Sequence, residues 1–206
     1  MLEHVPHWLG QMMRGVRAGA EKLVIAQPGL SGDRPPLTLT SPAFADGARL
    51  PIRFTADGEG SSPPLTWDQP PAGTAGFCLL VEDPDAPAPS PLVHAVVWAI
   101  PPEERRLAEG AIAADGWNAP AQDVGLNSFR GEGWLPPDPP TGHGQHSYAF
   151  QLFALSDLVA LAADPGRAQV VEAMAGRVLA SGMLVGNYSR GEERPVGGTG
   201  LAGAPA

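Results

Sequence analysis

Gly76-Phe77-Cys78-Leu79-Leu80-Val81-Glu82-Asp83-Pro84-Asp85-Ala86-Pro87 is the stretch on which the fold turns. Its first part, Gly76–Glu82, is a strongly apolar run that reads as a strand. Asp83 and Asp85 follow, each with a proline close behind, and Pro84 and Pro87 have no N–H to donate to a ladder. The chain must therefore turn at the end of the strand. Asp83–Pro84 is a reasonable place for a cis peptide bond. Two readings of the carboxylates stay open at this point: an Asp turn that caps its own backbone, or a polar site at a sheet end.

Working outward, strands alternate with turn residues over most of the chain. Leu37–Thr40, Leu50–Thr55, Val93–Ile100 and His146–Leu155 are the clearest, and in the last His146, Tyr148, Phe150 and Leu152 share one face. One late helix is expected, capped by Asp164 with Pro165 at its first position. Val170, Val171, Met174 and Val178 follow at helical spacing, Ser181-Gly182 ends the helix, and Met183–Tyr188 is a final strand. The 26 Gly and 24 Pro are both about double their usual share, which disfavours long helices. The prolines cluster at Ser62–Pro64, Asp83–Pro91 and Pro136–Pro140, as rigid loops between strands.

Residues 1–36 read as a separate N-terminal helix and linker, residues 37–190 as the main domain, and residues 191–206 as a mobile Gly/Pro/Ala tail. Placed at 100° per residue, Leu2, Val5, Trp8, Leu9, Met12, Met13, Val16, Ala20, Leu23 and Val24 fall on one side of an amphipathic helix. The face fits packing on the domain itself, a twin subunit or a membrane surface, the last weakened by a polar face of three cations against two anions. Gln27–Pro36 is the linker.

The net charge of −9 excludes nucleic acid as a natural partner, since phosphate neutralisation needs a basic face. A single cysteine, Cys78, forms no internal disulfide and asks for no oxidising compartment. No apolar run approaches the roughly 20 residues of a membrane span, and the N-terminus lacks the apolar block of a signal peptide. The expectation is a cytoplasmic protein without integral membrane contact.

Polar chemistry concentrates at the Asp83–Pro87 turn and at Thr141-Gly142-His143-Gly144-Gln145-His146-Ser147-Tyr148. There two glycines let backbone approach a ligand, and His146 and Tyr148 face the same way. His94 stands alone in an apolar strand, where a hydrogen-bonded core histidine is the ordinary reading. No Gly-x-Ser-x-Gly elbow, His-Glu-x-x-His or phosphate-binding loop is present. His143-x-x-His146 is half a zinc site, but its members are expected to point apart.

Taken together, the segments resemble the phosphatidylethanolamine-binding protein family, in its bacterial Raf-kinase-inhibitor-like branch. The resemblance runs through Ser41–Gly47, Thr55–Gly58, Ser62–Trp67 and Asp83–Pro87. It continues in His94–Pro101, Gly125–Phe129 and Pro139–Phe150, and closes at Leu184–Arg190. It implies a mainly β fold of two antiparallel sheets with Greek-key connections and a C-terminal helix. It also implies a small pocket for phosphate, acetate or a phosphoethanolamine head group. Carried over by motif, the pocket residues are Asp83, Asp85, Pro87, His94, His146 and Tyr148, with Pro140 and Gly142 in its wall. His146 and Tyr148 are expected on the anion and Asp83 on orienting a histidine, which would strengthen anion binding as pH falls. Three positions depart from the pattern: Trp134 stands for a tyrosine, Ser147 for an arginine, and Ala95 for a tryptophan.

The function expected is non-enzymatic binding of a small anionic or phosphorylated ligand, without cofactor or metal. A head-group pocket at a sheet edge would leave acyl chains exposed, so soluble anions fit better than whole phospholipids. Animal relatives inhibit kinases, and a kinase is one conceivable protein partner. Two alternatives stand beside this reading. One is a small hydrolase or lyase using the His94/His146/Asp83 cluster. The other is an interaction protein acting through its N-terminal helix as a homodimer.

Overall fold

The apolar run of the opening stretch becomes the centre of the larger of two sheets. The computed structural model describes residues 6–30, 34–113, 123–161 and 164–190. In chain order its elements are α1 (His7–Met12), β1 (Leu39–Thr40), β2 (Leu65–Trp67), β3 (Gly76–Asp83), β4 (Leu92–Ile100), β5 (Arg106–Leu107), β6 (Asp123–Val124), β7 (His146–Leu155), α2 (Arg167–Met174) and β8 (Val178–Tyr188). A five-stranded sheet has the order β6-β4-β3-β7-β8 and a three-stranded sheet the order β1-β2-β5. Every pairing is antiparallel. β3 meets β7 only after the chain has visited the small sheet and returned, which gives the Greek-key arrangement.

Both faces of the large sheet are covered, and this explains why β3 is apolar without alternation from Phe77 to Val81. Phe77, Leu79 and Val81 face the small sheet, together with Phe150 and Leu152 of β7 and with Leu65 and Trp67 of β2. Cys78 and Leu80 face the other way, against Phe153, Val170 and Met174 of the α2 side and Val24 and Leu30 of the N-terminal stretch. Burial of each large side chain contributes roughly 1.5–3 kcal/mol.

Four expected elements change. Leu50–Thr55 is not a strand: after Pro51 it closes a 3-10 turn at Ile52–Phe54, with the Phe54 N–H on Pro51 O at 3.0 Å. The late helix starts at Arg167 with Gly166 at its cap; Asp164 caps nothing and sits at φ 57°. Ser181-Gly182 lies inside β8, paired to Phe153 and Leu152. No cis peptide bond occurs among the described residues, so Asp83–Pro84 is trans.

The predicted long N-terminal helix shrinks to the six residues of α1. Gly19, at φ 105°, takes a conformation that other residues rarely adopt. There the chain bends down so that Ala18 N–H reaches Ala86 O at 3.0 Å and Gly19 N–H reaches Pro84 O at 2.9 Å. Residues 6–30 thus form a strap laid over the loops at one end of the sheets. The tail from Gly191 onward lies outside the described residues.

Candidate functional site

The turn after β3 and the start of β7 come together, as their polar residues suggested. Asp83 does both things left open above. Its Oδ1 accepts the Asp85 N–H at 2.8 Å, as in an Asp turn, while its Oδ2 receives His146 Nδ1 at 2.7 Å. Both partners are buried, so the pair is sheltered from screening.

A cavity of about 400 Å³ opens beside this pair. Asp83, Pro87, His94, Pro140, His146 and Tyr148 line it. The remaining wall is mostly apolar, with Ala56, Leu92, Phe129, Leu135 and Pro136 among it, and Asp138 adds a carboxylate. Two expected residues lie outside the lining. Asp85 accepts the Ser147 N–H at 2.7 Å and pairs with Arg17 of the strap. Gly142 is covered by the strap: its carbonyl accepts Arg14 Nε at 2.8 Å, and His7 packs where a side chain would stand.

His146 has no nitrogen left for a ligand. Its Nε2 faces His143 Nδ1 at 2.7 Å, and His143 Nε2 faces Met13 O at 2.8 Å. The Met13 carbonyl can only accept, so His143 Nε2 carries the hydrogen and His143 Nδ1 receives one from His146. The two imidazoles, expected to diverge, are consecutive links in one chain from the strap to Asp83. Burial, then the neighbouring His146, pushes the His143 pKa down.

The polar atoms free to meet a ligand belong to His94 and Tyr148. Both side chains are buried, and His94 Nε2 and the Tyr148 hydroxyl have no partner within the protein. The rings meet edge-on with centroids 5.0 Å apart. His94 Nδ1 donates to Leu135 O at 2.6 Å, which fixes the bare nitrogen as Nε2. Burial holds the His94 pKa below its ordinary value, against the opposing pull of Asp83. Burial also holds the Tyr148 phenol well above its ordinary range, with the Asp83 charge adding to this. The cavity floor therefore offers one acceptor and one donor, both uncharged at neutral pH.

Several supporting residues were not foreseen. Asp138 is tied to Arg190, whose Nε and second terminal nitrogen also hold Asp57 at 2.6 Å each. This fixes the proline-rich wall to the end of β8. Trp134, standing for a tyrosine, stacks on Phe150 and donates Nε1–H to Phe54 O at 3.2 Å. It props His94 from behind, with ring centroids 6.1 Å apart. Ala95 is buried in the core between the sheets.

No helix among the described residues is long and apolar enough to cross a membrane. Comparison with known proteins gives a consistent answer. The family model described as Phosphatidylethanolamine-binding protein matches residues 40–189. A UPF0098 protein of Methanothermobacter thermautotrophicus is 38% identical over 156 residues, covering 75% of this chain and 100% of its own. The candidate lipoprotein LppC of Mycobacterium tuberculosis is 42% identical over 155 residues, covering 74% and 72%. Among solved structures, E. coli YbcL, described as a new member of the mammalian PEBP family, superposes with a TM-score of 0.71 at 28% identity. That match covers 76% of this chain and 100% of YbcL.

Proposed function

The chain belongs to the phosphatidylethanolamine-binding protein family, and from that premise we propose that it is a non-enzymatic binding protein for a small ligand carrying an anionic or phosphorylated group. The observation that carries this reading is the pair of buried, unpartnered polar atoms, His94 Nε2 and the Tyr148 hydroxyl, at the floor of an otherwise apolar cavity. An unmet polar atom costs about 1–3 kcal/mol, and a bound oxygen-rich group removes that cost. Binding rather than turnover is supported by His146, whose two nitrogens are engaged by Asp83 and His143. Among the described residues, the lining also holds no serine, threonine or cysteine to act as a nucleophile. A phosphorylated protein side chain is one source of such a group, so a kinase or other signalling partner belongs to the same proposal. The cytoplasm is the compartment proposed; the single buried Cys78 asks for no oxidising one.

The test is a titration with inorganic phosphate and acetate followed by amide NMR, beside assays of p-nitrophenyl phosphate and p-nitrophenyl acetate. Weak binding that shifts amides around Ala86, Leu135 and Tyr148, without hydrolysis, is the expected result. Hydrolysis that disappears in His146→Ala would overturn it in favour of an acid–base enzyme. Unmoved cavity amides would remove the pocket reading altogether.

A further inference from the structure

The loops beside the cavity carry a second surface, which the N-terminus of the same chain already occupies. The strap has two parts. Beyond Gly19, Leu23 is buried and Val24 and Leu30 pack in the core on the α2 side of the large sheet. Before it, residues 7–18 form an arm that leaves Trp8, Met12 and Val16 exposed. Polar contacts hold this arm. Arg17 pairs with Asp85 and donates to Gln145 O at 3.2 Å, and Arg14 Nε donates to Gly142 O at 2.8 Å. Ala18 and Gly19 give their N–H groups to Ala86 O and Pro84 O. One contact runs the other way, from His143 Nε2 to Met13 O.

Beneath the arm lies a cradle of acceptors: the Asp85 carboxylate and the carbonyls of Pro84, Ala86, Gly142 and Gln145. The loops that form it, 84–91 and 139–146, contain no lysine or arginine. Ser147, whose N–H shares Asp85 with Arg17, brings no charge either. Such a cradle recognises two guanidinium groups three residues apart, followed at once by backbone N–H donors. Ala18 is buried, so the residue after the second arginine has to be small. The arm is a poor occupant, because its largest apolar side chains stay in water. Segments with few buried apolar contacts open at low free energy, and Gly19 at φ 105° supplies the pivot. We infer that this cradle is a docking site for an arginine-bearing segment of a partner protein, and that the arm is the tethered competitor covering it in the unbound chain. The net charge of −9 speeds the encounter with a cationic partner. The arm of a second copy would make only the contacts that the chain's own arm makes. The tether holds the latter at an effective concentration of roughly millimolar, so exchange between copies is the weaker use. Among the described residues none of the arm lines the cavity, whereas Ala86 and Pro140 of the same loops do. The partner therefore seats beside the cavity, whatever ligand the cavity takes.

The test uses the full chain carrying Arg14→Ala together with Arg17→Ala. It is titrated with a synthetic peptide of residues 7–19 and with the same peptide lacking both arginines, followed by calorimetry and amide NMR. Both replaced side chains are exposed, so the amides of β3 and β7 should keep their protection, while those of residues 7–18 should lose about tenfold or more. The arginine peptide should move the amides of Asp85, Gly142, His143 and Ser147. It should bind the variant roughly tenfold or more tighter than the wild-type chain, whose own arm competes. It should also bind the variant roughly tenfold or more tighter than the arginine-free peptide does, and the gain should shrink with added salt. Equal binding of the two peptides, or no movement of those amides, overturns the inference and leaves the reading of the cavity untouched. An arm that keeps its full protection without its arginines overturns it as well. Wild-type dimers in which the arm of one copy seats on the loops of the other, read by size exclusion and intermolecular NOEs, would give the cradle to a second copy and overturn the partner assignment.

Discussion

Glu82 ends the apolar run of β3 with a carboxylate that has no access to water. Three donors surround it: Arg167 Nε at 2.6 Å on one oxygen, and Val24 N–H at 2.9 Å and Gln151 Nε2 at 2.8 Å on the other. Arg167 also reaches on to Lys22 O. Arg167→Ala leaves this charge buried with neutral donors only. It should cost about 3 kcal/mol, read as a lowered urea midpoint at unchanged slope; a loss within a few tenths would show that water replaces the guanidinium. Nothing local announces this residue. In the sequence Glu82 is one more polar group at a strand end, and Arg167 is 85 positions away. The same limit explains the pocket assignments. Asp83, His146 and Tyr148 could be placed together because one strand end and one strand start carry them. Which histidine keeps a free nitrogen depends on Leu135 O, His143 and Met13 O, contacts that no spacing encodes.

Elements were legible where the hydrophobic period and the ladder agree. His146–Leu155 is a strand with the residues expected, because its two faces meet two separate cores. The N-terminal stretch failed because its apolar arc is real but is used differently. Leu23 is buried and Val24 packs in the core against the sheet, whereas Trp8 and Met12 stay exposed, at 61% and 73%. The strap's backbone hydrogen-bonds to the Pro84 and Ala86 carbonyls instead of continuing a helix. Gly10 shows how closely α1 sits. A β-carbon there would collide with Thr141 O and lie 3.1 Å from the His143 backbone nitrogen. In an exposed helix Gly→Ala stabilises by roughly 0.5–1 kcal/mol. Here the sign should reverse: Gly10→Ala should lift α1 and lower amide protection in residues 7–18 by about tenfold or more. The amides of β3 and β7 should keep theirs. Increased protection in the strap would mean that α1 does not rest on the 140–143 loop.

At the scale of the whole molecule, the strap, the pocket and the stability share a small set of buried histidines, and pH reads them together. His94 and His143 both have pKa values held down, in each case chiefly by burial. In the unfolded chain each returns to about 6.5. Between that value and the folded one the unfolded state binds more protons, so stability rises with pH, by up to about 1.4 kcal/mol per unit for each group. The stabilisation is complete above pH ~6.5 and is lost as pH falls through the folded values. Asp57 acts lower down: its hydrogen bonds from Arg190, ahead of the opposing effect of burial, hold its pKa below 3.8, and what it contributes goes only as pH falls through that depressed value. Urea midpoints taken from pH 8 to 5 should therefore decline from about pH 6.5 downward. The decline belongs in part to the link between strap and pocket, since His143 stands between Met13 O and His146. His143→Asn should be less stable at pH 8 and show a shallower slope, the two curves converging toward pH 5. Parallel curves would place the proton uptake elsewhere, and a wild-type midpoint flat from pH 7.5 to 5.5 would mean that neither histidine is held neutral by the fold.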